Sequence, residues 1–131
     1  MSRCSIKRGL TGRSRAGLHG LDWGNPPAVL PLLRIRDQCP LPYVNADHQA
    51  IKIGPGGGRS TQYLFCFGYL YGVDYHRELL DELSGNFKAP HLHLVLNNGT
   101  DFPCIPDLSI DFIFSFGVFV HLDVDIIEAY L

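Results

Sequence analysis

Ala50-Ile51-Lys52-Ile53-Gly54-Pro55-Gly56-Gly57-Gly58-Arg59 decides how this chain is read. Ala50–Ile53 has the length and apolar content of a short strand, and it runs straight into four glycines within five positions. Ser60–Phe67 then reads as a helix closed by Gly68. A glycine-rich turn between a strand and a helix lets a ligand approach the backbone closely, because no Cβ stands in the way and positive φ carries no penalty. The spacing separates the cofactor classes that use such a turn. A dinucleotide loop needs G-x-G-x-x-G, and counting from Gly54 the third glycine would fall on Arg59. A P-loop needs a following Gly-Lys-Ser/Thr, which is absent. What remains is alternate glycines at Gly54, Gly56 and Gly58.

Outward from this turn the pattern repeats. Tyr69–Val73 is a second strand ending at Asp74, and Arg77–Ser84 a second helix that ends near Gly85. His91–Leu96 is a third strand, broken by Asn97-Asn98-Gly99. Ile110–Phe116 is a fourth, with Ile110, Phe112, Phe114 and Phe116 on one face, and a last helix starts near Asp123. Alternating strands and helices predict an α/β fold with a Rossmann-like parallel sheet of about four strands. Asp74 lies sixteen residues after Gly58, at the end of the neighbouring strand. A carboxylate there can accept hydrogen bonds from both hydroxyls of a ribose. The same residue could instead cap the helix that follows.

Upstream, residues 21–48 form a Pro-rich irregular lead-in with one short helix around Leu30–Asp37. Residues 1–36 carry seven Lys and Arg against the single acid Asp22, a net +6, whereas the remainder holds four basic and twelve acidic residues, a net -8. The basic residues 1–20 read as a solvated, disordered arm. Absence of acids there also suits a transit peptide, and a nucleic-acid contact is the rival reading, without the interleaved aromatics of a stacking platform. Ile113–Val120 is the longest apolar run and is broken by Ser115 and Gly117, so no bilayer span is expected. Cys4, Cys39, Cys66 and Cys104 form no C-x-x-C pair, which argues against a zinc knuckle and predicts reduced thiols in a cytoplasmic protein. His91 and His93 alternate on one strand without a third ligand nearby, so no metal is assigned.

Together these residues give residues 49–131 a resemblance to the N-terminal part of class I S-adenosylmethionine-dependent methyltransferases. The resemblance rests on "IKIGPGGGRSTQYL" (residues 51–64), "YGVDYHREL" (71–79) and "PDLSIDFIFSFGVFVHLD" (106–123), with "LDWGNP" (21–26) as a weaker point. It implies an S-adenosylmethionine cofactor and methyl transfer to an acceptor, small or macromolecular, that the sequence does not identify. It further implies that Gly54, Gly56 and Gly58 line the methionine and ribose side of the cofactor. Asp74 would hold the ribose and Tyr75 pack on the adenine. The turn with Asn98, Gly99 and Asp101 would meet the adenine ring, with Asn98 or Asp101 accepting its amino group. Ser115 and Phe116 would close the edge of the site, and His121 stands either as a catalytic group on the acceptor side or as a packing residue. Two other readings stay open: a non-catalytic fragment that binds the same cofactor, and a nicotinamide dinucleotide-binding oxidoreductase domain.

Two departures from the family pattern carry expectations of their own. Lys52 occupies the position where the family usually has an acid. One like-charge contact near 4 Å costs about 1 kcal/mol in water and about 4 kcal/mol at an intermediate dielectric. That would weaken binding of a cationic cofactor by roughly one to three orders of magnitude, unless the lysine snorkels to solvent. The family's sheet also has more strands than this chain supplies, so the chain reads as C-terminally truncated, with the fourth strand as an exposed edge. Each of Phe112, Phe114 and Phe116 left wet would forfeit about 1.5–3 kcal/mol. Against a net stability of about 5–15 kcal/mol, this predicts a marginal protein that self-associates through that edge.

Overall fold

The computed structural model describes residues 30–131, so the basic arm and the opening of the lead-in, "LDWGNP" included, lie outside the described residues. Seven regular elements follow in order: α1 (Leu30–Gln38), β1 (Gln49–Ile53), β2 (Tyr69–Asp74), α2 (Arg77–Asn86), β3 (Leu92–Leu96), β4 (Phe112–Ser115) and α3 (Val124–Tyr130). The strands form one parallel sheet in the order β3-β2-β1-β4, as the alternating pattern predicted. β1 is central and nearly all buried, since Ala50, Ile51, Lys52 and Ile53 each lie within the core.

Alternation along the strands sends side chains to two cores. On one face Ala50 and Leu70 pack with Leu64, Phe65 and Phe67 from the connection after the glycine turn. On the other, Ile51, Ile53, Tyr71 and Val73 are covered by Phe102, Ile105, Phe119 and Tyr130. The segment expected to be a helix over Ser60–Phe67 is only a single 3-10 turn, Thr61–Leu64, held by Tyr63 N–H to Ser60 O (3.2 Å) and Phe65 N–H to Gln62 O (3.4 Å). Thr61, Leu64, Phe65 and Phe67 are all buried, so residues that would have lined the inner face of a helix reach the core around a single 3-10 turn. α2 runs past the expected stop at Gly85 to Asn86 and buries Leu80 and Leu83.

β4 is shorter than read from sequence. It is entered through a reciprocal contact in which Asp111 N–H donates to Gln49 O (2.9 Å) and Gln49 N–H to the Asp111 carboxylate (2.9 Å). It ends before Gly117, whose φ is +72°. Among the described residues β4 pairs only with β1. The expected loss of contacts is redistributed: Phe112 stacks between Tyr43 and Phe67 at 5.4 Å from each, while Ile113 (51% exposed) and Phe116 (39%) are the residues left wet. Cys39 and Cys104 are free thiols. No helix among the described residues is long and apolar enough to cross a membrane.

Two glycines hold the turn after β1 by what they lack. Gly54 (φ +62°) would place a Cβ 2.3 Å from Val118, and Gly58 (φ +100°) would place one 2.2 Å from the Phe87 ring. Both the backbone conformation and the space exclude a side chain. Gly85, exposed in α2, has nothing within 4 Å of such a Cβ. Gly58→Ala is therefore expected to cost about 2 kcal/mol or more, whereas Gly85→Ala should be neutral or stabilise by up to about 1 kcal/mol. Urea unfolding of the two variants checks the contrast, and equal midpoints would contradict it.

Candidate functional site

A cavity of about 1000 Å³ opens at the carboxyl ends of β1, β2 and β4, where a parallel sheet presents its loops. Of the residues singled out in the sequence, Gly54, Gly56, Asp74, Tyr75, Asn98, Gly99, Ser115, Phe116 and His121 all line it. Gly58 and Asp101 do not. Gly58 instead packs against Leu83 and Phe87 of the α2 region, and Asp101 shapes its own loop by accepting Asn98 N–H at 3.0 Å.

The glycine turn is pinned from three sides. Gly54 N–H donates to Val73 O (2.9 Å), which continues the pairing of β1 with β2 by one residue. The buried Thr61 hydroxyl donates to Pro55 O (2.9 Å), and Asn86 reaches Gly57 O (3.4 Å). Between these anchors Gly56, at φ +55°, has open space where a Cβ would be. A flat ligand can meet bare backbone there.

Asp74 ends β2 and is 9% exposed. Its Oδ1 accepts His76 N–H (2.9 Å) and lies 3.1 Å from His76 Nδ1. His76 immediately precedes α2, so Asp74 makes a local turn with it and leaves the first-turn N–H groups of the helix alone. The carboxylate's second oxygen meets no donor among the described residues. His76 also lines the cavity, and its ring lies tilted against Tyr75, with ring centres 3.8 Å apart. Nothing in the spacing distinguished it as the residue that orients Asp74.

On the far rim, Asn97, which breaks the third strand and opens the turn after it, is buried and structural. Its amide donates to Asp101 O (2.9 Å) and to the Tyr130 hydroxyl (2.8 Å), tying the turn after β3 to α3. Burial holds the Tyr130 phenol above its ordinary pKa. The Asn98 side-chain oxygen already accepts both the N–H and the hydroxyl of Thr100 (2.9 Å each). Its side chain thus supports the turn first. Ser115 Oγ, at the end of β4, is buried without a hydrogen-bond partner among the described residues.

Lys52 is the least expected feature of the rim. It does not snorkel: it is 1% exposed, and its Nζ donates to Ile53 O (2.9 Å) and Gly54 O (3.0 Å), 5.5 Å from the Phe114 ring. In the sheet Lys52 stands level with Gly72 of β2 and Phe114 of β4. Burial lowers its pKa from the usual 10.5 to about 7, against the opposing pull of Asp74. In the unfolded chain the same lysine stays protonated to its ordinary pKa. Between about pH 7 and pH 10.5 the unfolded state therefore binds more protons, and stability rises with pH through that window; below it the burial cost is present in full. From pH 7 to pH 9 the gain should be about 2 kcal/mol, read by denaturant titration at each pH. Lys52→Met should flatten that slope, and a slope unchanged in the variant would refute the assignment.

The site can now be set beside known proteins. A family described as a methyltransferase domain matches residues 51–130. No curated protein matches the chain. Among solved structures, a protein of Methanococcus maripaludis inferred to be an S-adenosyl-L-methionine-dependent methyltransferase aligns over 85% of this chain and 54% of its own, with 16% identity and a TM-score of 0.63. The DhpI–SAH complex aligns over 86% and 51%, with 19% identity and a TM-score of 0.62. A TehB-like SAM-dependent methyltransferase from Corynebacterium glutamicum aligns over 63% and 45%, with 27% identity and a TM-score of 0.51. The chain spans from about a third to about half of the length of the solved structures it matches. The family match runs from within β1 to the last turn of α3, and by it the chain belongs to the methyltransferase-domain family.

Proposed function

We propose that the cavity binds S-adenosylmethionine and that the chain serves an S-adenosylmethionine-dependent methyl transfer. The observation that carries this reading is the Asp74 carboxylate, held by His76 at the end of β2 with one oxygen that meets no donor among the described residues, beside a turn whose backbone is bare at Gly56. A ribose diol needs such an acceptor, and the adjoining nucleoside needs close backbone approach. The family match and the neighbour solved with SAH support the same cofactor class.

In this reading Gly54 and Gly56 face the cofactor's methionine and ribose, and Asp74 accepts from the ribose hydroxyls. Tyr75 and the backbone of Asn98 and Gly99 flank the adenine. Asp101 acts on that side only through the turn it shapes, and Gly58 only by seating the turn against α2. Ser115 Oγ offers an unspent hydrogen bond at the edge, next to Phe116. Bound S-adenosylmethionine supplies an electrophilic methyl group on a sulfonium. The protein's part is to orient that group and keep water from it, which needs no dedicated acid. His121, on the rim after β4, faces the side from which an acceptor would enter. The acceptor is a nucleophile whose class the rim does not specify.

Saturating S-adenosylmethionine should move the backbone amide signals of Gly54, Gly56 and Gly99 in a folded sample. Asp74→Ala should lose roughly tenfold or more in affinity by calorimetry, the worth of a charge-assisted hydrogen bond. Unmoved amides would remove the reading, and an Asp74→Ala affinity equal to wild type would remove Asp74's part in it.

A further inference from the structure

Lys52 carries an inference beyond cofactor binding as such, and it rests on the cavity assignment above. Its ammonium is sealed at the end of the central strand and gives two hydrogen bonds to carbonyls of the glycine turn, which are dipoles and carry no net charge. Among the described residues no carboxylate lies within ion-pair distance of it; Asp74 acts on it only from further off. No ion pair neutralises this amine among the described residues, so the charge of whatever the cavity holds bears on it beside the more distant Asp74.

The two states of a methyl donor differ at one atom. The donor carries a positive sulfonium; the spent form carries a neutral thioether; the nucleoside, amino group and carboxylate are common to both. We propose that Lys52 makes this cavity discriminate by charge on the ligand's sulfur, favouring the neutral spent cofactor over the sulfonium form whenever its amine is protonated. Because the lysine is buried, its protonation changes near neutral pH. The preference is strong below about pH 7 and fades above it, so mildly acid conditions hold the site in its product-bound state.

Other groups facing the same space could impose a pH dependence and must be separated from Lys52. They are Asp74, Tyr75 and His76 after β2, Arg36 from α1, Arg59 and Tyr63 after the glycine turn, His121 after β4 and Tyr130 from α3. Of these only the histidines have an ordinary pKa near the relevant range.

Calorimetry of the whole chain with S-adenosylmethionine and with S-adenosylhomocysteine, at about pH 6 and about pH 8.5, tests the proposal. The ratio of the two affinities should shift toward S-adenosylhomocysteine on the order of tenfold at the lower pH in wild type, and should stay flat in Lys52→Gln. A ratio independent of pH in wild type, or an equal shift in Lys52→Gln, overturns it; the latter assigns the effect to His76 or His121. Should Lys52→Gln not fold, isotope-detected titration of the Lys52 side chain in wild type decides. Linkage requires an apparent pKa about one unit lower in the sulfonium complex than in the thioether complex for a tenfold preference, and equal values overturn the proposal. Both nucleosides binding with a constant ratio removes only the role of Lys52. Neither binding removes the cavity assignment and this inference together.

Discussion

Gly54 N–H donates to Val73 O as the chain leaves the central strand, and at that residue the backbone passes into the left-handed region with Val118 standing where a side chain would be. The upper end of the molecule depends on this step. It keeps β1 and β2 paired to their last residues, which sets Asp74 beside the turn. It also swings Pro55–Gly57 outward, where the Thr61 hydroxyl and Asn86 hold them from behind. The cavity is then the space that the turn, Asp74 and the segment after β4 cannot fill.

The same step explains how a lysine can sit inside a sheet. Turning the chain at Gly54 points the carbonyls of Ile53 and Gly54 toward the Lys52 amine. A buried amine is costly unless its protons are taken up, and two carbonyls and an aromatic face do part of that work. What they do not supply is an opposite charge, and burial lowers the amine's proton affinity accordingly. Where an acid would attract a cationic ligand, this rim offers a group whose charge depends on pH.

The connection after the turn shows how packing overrides local preference. Ser60–Phe67 contains few helix breakers and ends in glycine, so a helix is the natural reading. In the fold Leu64, Phe65 and Phe67 all enter the one core that holds Ala50 and Leu70, and a short 3-10 turn over Thr61–Leu64 brings them there. β4 repeats the lesson at the edge. Its Phe112 and Phe114 find partners within one face, so the exposure expected of the phenylalanines falls on Ile113 and Phe116.

Period-two apolar runs, the glycines after Ile53 and an acid after the second run are local signals, and from them the sequence by itself determined the parallel α/β fold and singled out the glycine turn and Asp74. These signals suffice because strand patterning and positive φ are properties of neighbouring residues. Tertiary structure alone decided the rest. That the Lys52 amine lies beside the Phe114 ring follows from the pairing of β1 with β4, that Asn97 ties the rim follows from Tyr130 in α3, and that Gly58 serves packing follows from Phe87. Each of these depends on a residue distant in the chain, and which distant residue stands next to a given side chain is fixed by strand order and register.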